Sequence, residues 1–439
     1  MDKFRHFRKR TSFNLISNLS PTNVFCLLSI VSLLTLLMCF MVSKGEFISR
    51  YFFYDIRDSG MDFFHSIEYV KGRKPYTDWD VLYPPLANFI FYFFFYLIPR
   101  GVSANWPSDF LESVYIRGTD FDLRTYQAPF LIFVFYTILI TCFFIFVIVL
   151  ALNKFSYTKA NCVAICMLFS YGVMFAIDRG NIIWLIFPLV LFFANFVDSN
   201  NNFVRELALL SLAAAIGIKL YPSFFSVLLI HDRKYKEFGR LVLYSIIFII
   251  VPFFFFKDDF YALFSYFHKL LFTATSDTSY WLNLDFMGIL SRMVLYAKVY
   301  LGLDLSIKFL KFIKITSLAI SFIFTFYFKK VWQKILFITV AMILFHTQPE
   351  YILGWIVVPL VLFLKEEDNL TKANVIPFLL MTLLTIHLPL FYTYNVSYPN
   401  IAIKQLLLLL LFLWCLVMSM IKLYRNLKYG QWKSKFSRK

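Results

Sequence analysis

The chain has 439 residues, of which 60% are hydrophobic and only 16% are charged, and its mean hydropathy is +0.69. Soluble proteins carry about 25% charged residues, so this composition excludes a soluble globular protein and predicts a polytopic membrane protein. The formal net charge of +17 does not indicate nucleic-acid binding, because the basic residues lie at the ends of apolar runs. That distribution is typical of the positive-inside rule for membrane proteins.

About twelve apolar runs have the length of a transmembrane helix. They lie near residues 22–43, 82–99, 128–151, 160–177, 181–197, 206–230, 241–256, 306–328, 335–347, 351–364, 373–391 and 401–421. The basic segment before the first run and the basic tail 422–439 predict that both termini are cytoplasmic. Strict alternation from that start places loops 44–81 and 257–304 outside and the turn at Arg179 inside. Few cysteines and abundant Lys, Asn and Phe suit a bacterial plasma membrane.

The predicted fold is therefore an all-α integral membrane protein, organised as a single polytopic domain over residues 1–439. Within it, residues 22–256 form a predicted core with the external loop 44–81, and residues 257–439 form an external loop followed by the C-terminal helices. Both external loops are expected to carry amphipathic helices. In the second, FMGILSRMVLYAKVYLGL has too many charges for a span and is expected to lie in the membrane interface.

The first external loop concentrates polar groups that could carry chemistry. In a helix that begins near Asp58 or Ser59 and ends at Gly72, Asp58, Asp62, His65 and Tyr69 share one face. Carboxylates so placed suit a general base, a metal ligand or both. Alternatively, Asp58 only caps the helix and the other groups face water. The opposite face, with Met61, Phe64 and Ile67, is suited to lying on the membrane.

A second acidic pair follows this helix. Asp78 and Asp80 could hold a divalent ion through oxygen ligands, so a metal cofactor is possible, although such pairs are common in ordinary turns. Pro84 and Pro85 stiffen the entry into the next apolar run. The six cysteines all lie in apolar runs and are expected to be buried thiols. Cys162 and Cys166 are one helical turn apart, which without partners is no metal site.

Ionisable residues within apolar runs are candidates for function. Lys219 could bind a lipid-linked phosphate at a helix broken by Pro222, or it could extend to the interface or pair with a neighbouring helix. Arg179 could be a binding residue or a structural partner of Asp178. Arg292 could hold a phosphate or contact a lipid headgroup.

His346 and Glu350 are one turn apart near the outer end of a predicted span. They could face the substrate from the same aqueous side as Asp58. The alternative is that both are ordinary polar residues of the membrane interface.

Four segments of the sequence, in chain order, carry a resemblance to a known family. They are Asp58 with Gly72, Pro75-Tyr76 and Tyr83-Pro84-Pro85-Leu86; Asp178-Arg179-Gly180-Asn181; the Ala-rich run 213–222, which ends in Lys-Leu-Tyr-Pro; and Pro349-Glu350-Tyr351. Together they resemble the glycosyltransferase 87 family over roughly residues 20–365. Proteins of this family are membrane glycosyltransferases of the GT-C fold that take sugar from a polyprenyl phosphate.

This resemblance implies an acidic catalytic base in the first external loop, for which Asp58 is the first candidate and Asp62 the second. The residues expected to bind substrate are His65, Tyr83, Arg179, Asn181, Lys219, Tyr221, Arg292, His346 and Glu350. The implied partners are a polyprenyl-phosphate sugar donor, a glycan or glycolipid acceptor and membrane lipid, with no nucleic acid.

The predicted reaction is transfer of a hexose, mannose-like, to an acceptor hydroxyl at the outer membrane face, with inversion. No nucleotide-binding loop occurs in the sequence, which favours a lipid-linked donor. Two alternatives remain, a flippase or transporter of lipid-linked oligosaccharides and a polymerase of the same substrates. A transporter would be expected to contain inverted repeats, and none is evident.

Overall fold

The computed structural model describes residues 20–44, 59–99, 127–272, 302, 307–345, 350–388 and 398–428. The regular secondary structure of these residues is helical, with no strand among them. In chain order the helices are α1 (Pro21–Val42), α2 (Met61–Lys71), α3 (Pro75–Asp78), α4 (Pro85–Tyr96), α5 (Gln127–Ala151), α6 (Tyr157–Leu168), α7 (Tyr171–Asp178), α8 (Ile183–Phe196), α9 (Asn202–Ile218), α10 (Val227–His231), α11 (Tyr235–Phe253), α12 (Phe260–Phe272), α13 (Ile307–Thr325), α14 (Val331–Phe345), α15 (Val357–Glu366), α16 (Val375–Thr385) and α17 (Tyr398–Lys428). Two 3-10 segments, Tyr221–Ser226 and Glu350–Ile356, precede α10 and α15.

An all-helical membrane protein is confirmed, but twelve crossings are not. Among the described residues, three helices are long and apolar enough to cross a membrane: Pro21–Val42, Gln127–Ala151 and Ile401–Lys428. The pair α6 and α7, bent by 61°, would make a fourth if it is one broken span. Five other apolar helices among the described residues have only 10–17 residues, so none of these five alone spans about 30 Å of hydrocarbon.

Ion pairs join several loops at one end of the bundle, which we call the basic end. The pairs are Lys154–Asp368, Lys234–Asp198, Arg240–Glu206, Lys330–Glu367 and Lys334–Asp232. They place residues 198–206 beside residues 232–240. Strict alternation along the predicted spans implies that these two loops lie on opposite sides, and the ion pairs correct that prediction.

The alternation fails at the predicted span 82–99. Helix α4 has 12 residues and is therefore about 18 Å long, too short for a crossing. Tyr92, in the second half of α4, lies near residues that follow α2 and α11. The centre of its ring is 5.7 Å from the guanidinium carbon of Arg73, after α2, and 6.4 Å from the centre of the Phe256 ring, after α11. Since α11 starts at the basic end and finishes far from it, α4 remains at the opposite end. The side assignments from residue 100 to residue 205 are then reversed. The run 206–230, which starts and ends at the basic end, does not cross either, so the assignments after it are unchanged.

The predicted external helix exists as α2, but its apolar face is not on the membrane. Met61, Phe64 and Ile67 are each no more than 1% exposed and belong to the main hydrophobic core. The end of the helix also differs from the prediction. Gly72 keeps an ordinary helical backbone, and the left-handed conformation falls on Arg73, with φ 60°. The Arg73 guanidinium donates hydrogen bonds to the Phe255 carbonyl, which hold this residue in place.

Two glycines bring the 3-10 segment Glu350–Ile356 against α7. A Cβ at Gly172 would clash with the backbone of Gly354, and a Cβ at Gly354 would clash with the Phe187 ring. The chains can therefore approach only because neither residue has a side chain. This contact carries Glu350 and Tyr351 to the end of the bundle where α2 lies.

Candidate functional site

The carboxylate of Asp62, in the first turn of α2, is held by two residues of the turn between α7 and α8. Arg179 donates from Nε to Oδ2 at 3.1 Å and from Nη2 to Oδ1 at 2.9 Å. Asn181 donates from Nδ2 to Oδ2 at 2.7 Å. The Asp62 and Arg179 side chains are only 17% and 21% exposed. Arg179 therefore lies at the α2 end of the bundle, and the prediction that this turn and loop 44–81 lie on opposite sides is wrong.

The backbone explains why these distant segments meet. Gly60 N donates to Asp178 O at 2.6 Å, and Asp62 N donates to Arg179 O at 2.9 Å. The Ser59 hydroxyl, near the predicted start of the helix, donates to Asp178 Oδ1 at 2.8 Å. The start of α2 is thus satisfied by the α7–α8 turn rather than by its own side chains.

Gly180 makes this turn possible. Its φ is +66°, a conformation that residues with a side chain rarely adopt. A Cβ there would lie 2.7 Å from Phe63 Cβ and 2.9 Å from the Phe133 ring. The glycine of the Arg-Gly-Asn element is therefore required both for backbone conformation and for packing against α2.

Asn181 has its amide orientation fixed by the next helix. Its Oδ1 accepts from Ile183 N at 2.9 Å at the start of α8. The Nδ2 group must then face the other way, where it donates to Asp62 and to the Tyr83 hydroxyl at 3.3 Å. Asn181 consequently joins α2, α8 and the segment before α4.

The environment keeps Asp62 ionised. Burial alone would raise the pKa of this carboxyl, but the charge of Arg179 and the hydrogen bonds from Arg179 and Asn181 outweigh it and lower the pKa. A carboxyl group with a lowered pKa stays ionised at neutral pH and is a weak base. It is better suited to orienting Arg179 and Asn181 than to accepting a proton.

Lys219 lies at the break between α9 and the 3-10 segment Tyr221–Ser226. Its backbone is extended, and its N–H closes α9 by donating to Ala215 O. The predicted single span 206–230 is thus two shorter helical pieces, with the break beside Pro222 that the sequence indicated. Since α9 begins at the basic end, the break lies at membrane depth toward the α2 end.

The Lys219 side chain is only 7% exposed. Its ammonium lies 5.3 Å from the centre of the Tyr83 ring, 5.8 Å from that of Tyr351 and 5.9 Å from that of Tyr221. Within the described part of the chain it makes no ion pair. Three aromatic faces partly stabilise a buried cation, but an anion would stabilise it far more. This position is suited to a negatively charged ligand.

Glu350 is buried one residue before Tyr351 and accepts a hydrogen bond from the Tyr171 hydroxyl. Lys404 lies on the other side of the Tyr171 ring, 5.0 Å from its centre. Its ammonium donates to the carbonyls of Leu383, Leu384 and Ile386 at 2.9–3.0 Å, at the end of α16. Tyr171 and Lys404 were not among the residues predicted from the sequence, although a lysine inside the apolar run 401–421 was a usable signal.

Of the remaining predicted residues, His65 is described by the structure, and three others are not. His65 lies one turn along α2 from Asp62, and its ring is 6.1 Å from that of Tyr69. Burial, and next the negative charge of Asp62, raise the pKa of Tyr69. Asp58, Arg292 and His346 lie outside the described residues, so their roles stay predictions.

The acidic pair Asp78 and Asp80 lies beside α12, and its predicted role as a metal site stays a prediction. Asp80 pairs with Lys269 of α12, while Asp258 binds the start of α3 through Thr77 N at 2.9 Å. In the described ranges, the group of three or more His, Cys, Asp or Glu residues that could share a metal ion is Cys26, Cys162 and Cys166. That group is distant in sequence and structure from Asp62.

A family model for glycosyltransferase family 87 matches residues 82–349, which is more than half of the chain. The chain belongs to this family. The resemblance inferred from the sequence is thereby confirmed, and the protein is a glycosyltransferase with a sugar donor and an acceptor. The matched region contains Tyr83, Arg179, Asn181, Lys219 and Tyr221, whereas Asp62 precedes it. The comparison with curated proteins finds no match.

Proposed function

We propose that this glycosyltransferase moves a mannose-like hexose from a polyprenyl phosphate to a hydroxyl of a glycan or glycolipid. The observation that carries the proposal is Lys219, a buried cation with aromatic neighbours and no ion-pair partner in the described chain. An unpaired buried charge is costly, and a phosphate would remove that cost. A helix break at membrane depth also suits the headgroup of a lipid-linked donor.

The base in this proposal is Asp58, next to Ser59 at the start of α2. Asp62 is the less suitable base because Arg179 and Asn181 occupy its oxygens and lower its pKa. Asp58 would take the proton of the acceptor hydroxyl as that oxygen bonds to the anomeric carbon. The bond from this carbon to the phosphate oxygen breaks at the same time, and the phosphate leaves with the electron pair toward Lys219. In-line attack inverts the anomeric centre.

The proposal extends to the membrane. The basic end would face the cytoplasm with both termini, and the site would open to the outer face of a bacterial plasma membrane. The full number of crossings would be about twelve in a GT-C architecture. Arg292 and His346 would add contacts to the phosphate and the acceptor.

The test uses purified protein in liposomes, radiolabelled polyprenyl-phosphate sugars and a glycolipid acceptor extract. Wild type should transfer sugar, and Asp58→Asn and Lys219→Met should each lose at least tenfold in rate. Asp259→Asn and Lys236→Met are matched controls, because both side chains are exposed, and they should remain active. Thermal unfolding verifies that each variant is folded.

Four outcomes would contradict parts of this proposal. Equal transfer by wild type and Asp58→Asn would remove Asp58 and direct attention to Asp62. Equal transfer by Lys219→Met would remove the phosphate role of Lys219. Transfer from a nucleotide sugar, with none from any lipid-linked sugar, would overturn the donor class. Movement of a lipid-linked glycan across the bilayer without bond formation would favour the flippase alternative.

A further inference from the structure

Three cysteine thiols from two helices meet near the basic end. Cys26 lies on α1, and Cys162 and Cys166 lie one turn apart on α6, so both face α1. The Sγ atoms of Cys26 and Cys162 are 3.9 Å apart, and all three sulfurs lie within 4.8 Å of one another. From the sequence alone, only Cys162 and Cys166 could be predicted to lie close together, because Cys26 is 136 residues from Cys162.

The spacing of the sulfurs suits a shared metal ion. A zinc ion binds thiolates at about 2.3 Å, which separates two of its sulfur ligands by about 3.8 Å. A disulfide requires sulfurs about 2.05 Å apart, so Cys26 and Cys162 are not bonded to each other, and all six cysteines in the chain are free. Three converging thiols are also the ligand type that selects soft metal ions over magnesium or calcium.

The surroundings supply a balancing charge and leave a path for an ion. Lys159 acts electrostatically on Cys26, and its positive charge would balance three thiolates bound to a divalent cation. Cys166 is buried, whereas Cys162 is exposed on the outer flank, where an ion could enter without unfolding either helix.

We propose that Cys26, Cys162 and Cys166 form a binding site for one thiophilic divalent ion, of the class of Zn²⁺ and Cd²⁺. The ion would bind α1 to α6 across their contact and so stabilise the basic end of the bundle. This site is separate from the Asp62 and Lys219 region, and the inference does not depend on the proposed sugar transfer.

The test is a Cd²⁺ titration of the reduced, chelator-treated full-length protein in detergent. Thiolate-to-Cd²⁺ ultraviolet absorption should saturate at one ion per chain, Zn²⁺ should displace the Cd²⁺, and the melting temperature should rise on binding. Cys162→Ser should weaken Cd²⁺ binding at least tenfold and abolish the rise in melting temperature. Because ligands must lose protons, binding should also weaken as the pH falls.

Matched controls are available on neighbouring positions. Cys39→Ser, on the same helix as Cys26, and Cys142→Ser, on α5, should bind Cd²⁺ as wild type does. Cys166→Ala provides a second variant in case Cys162→Ser is unstable without metal. The proposal is overturned if Cys162→Ser and Cys166→Ala both retain the signal, if Cys142→Ser loses it equally, or if the reduced wild type binds no Cd²⁺.

Discussion

At the scale of single residues, charge and burial separate Asp62 from Lys219. Asp62 has its countercharge inside the protein, in Arg179, whereas Lys219 has aromatic rings around it and no described anion in contact. Both were identifiable from the sequence, because ionisable groups beside apolar runs are rare. The Asp62–Arg179 pair was not, because it joins positions 117 apart and the assumed alternation separated them.

The first prediction concerns the strength of that pair. Asp62→Asn leaves the Arg179 guanidinium partly buried without its countercharge, and we expect a loss of about 1–3 kcal/mol in the free energy of unfolding. Adding Arg179→Gln to Asp62→Asn should recover part of this loss, because the uncompensated charge is then gone. Thermal unfolding of the two single variants and the double variant in detergent measures the coupling. Simple additivity of the two losses would contradict the interpretation.

The pH dependence of the same pair has a defined sign. The pKa of Asp62 is lowered in the folded protein, so its contribution to stability is complete above the unfolded value of about 3.9 and is lost as the pH falls through the folded pKa. The melting temperature of wild type minus that of Asp62→Asn should be constant from about pH 5 to 8. Below about pH 4 the difference should shrink. A difference that grows in acid would mean that Asp62 is protonated in the folded state.

At the scale of helices, the prolines and glycines in the sequence predicted some of the breaks between helices but not others. Pro222 correctly indicated the break after Lys219. The 61° bend between α6 and α7 was predicted as a continuous span, since its apolar sequence 160–177 contains no proline. Directly after the bend, Gly172 packs against Gly354, a contact that local sequence does not reveal.

Gly180 allows a prediction at this scale, because it joins α7 and α8 to α2. Gly180→Ala must keep φ near +66° and places a methyl group against Phe63 and Phe133. We expect a loss of about 1–3 kcal/mol in the free energy of unfolding. The matched control is Gly239→Ala in α11, where nothing lies within 4 Å of the new Cβ. The control should gain about 0.5–1 kcal/mol from helix propensity; a similar loss in both variants would contradict the role of Gly180.

At the scale of the whole molecule, composition was enough to predict an all-helical membrane protein, but counting hydrophobic runs was not enough to assign sides. A helix of 12 residues that does not cross reverses the assignment of the loops after it as far as residue 205, and the broken run 206–230, which returns to the basic end, restores the later assignments. Ion pairs at the basic end provide the correct grouping, because loops that exchange hydrogen bonds must lie on one side. Hydropathy alone contains no such information about contacts.

The corresponding prediction is about accessibility. Single cysteines placed at Asn200 and Lys236, in a background whose six native cysteines are replaced, should react with a membrane-impermeant thiol reagent from the same side. A cysteine at Lys74 should react from the other side. Labelling of cells and of inverted membrane vesicles measures this, with a melting curve to verify folding. Reaction at positions 200 and 236 from opposite sides would restore the original alternation.

The two backbone hydrogen bonds at the start of α2 have a practical consequence. The amide protons of Gly60 and Asp62 are donated to carbonyls of the α7–α8 turn, not to their own helix. Their hydrogen–deuterium exchange therefore reports whether α2 is attached to this turn, without any substrate or assay of turnover. Slow exchange at these two amides would mean that the polar cluster is assembled before a ligand arrives. Fast exchange there, beside slow exchange in the middle of α2, would mean that the cluster assembles when the ligand binds.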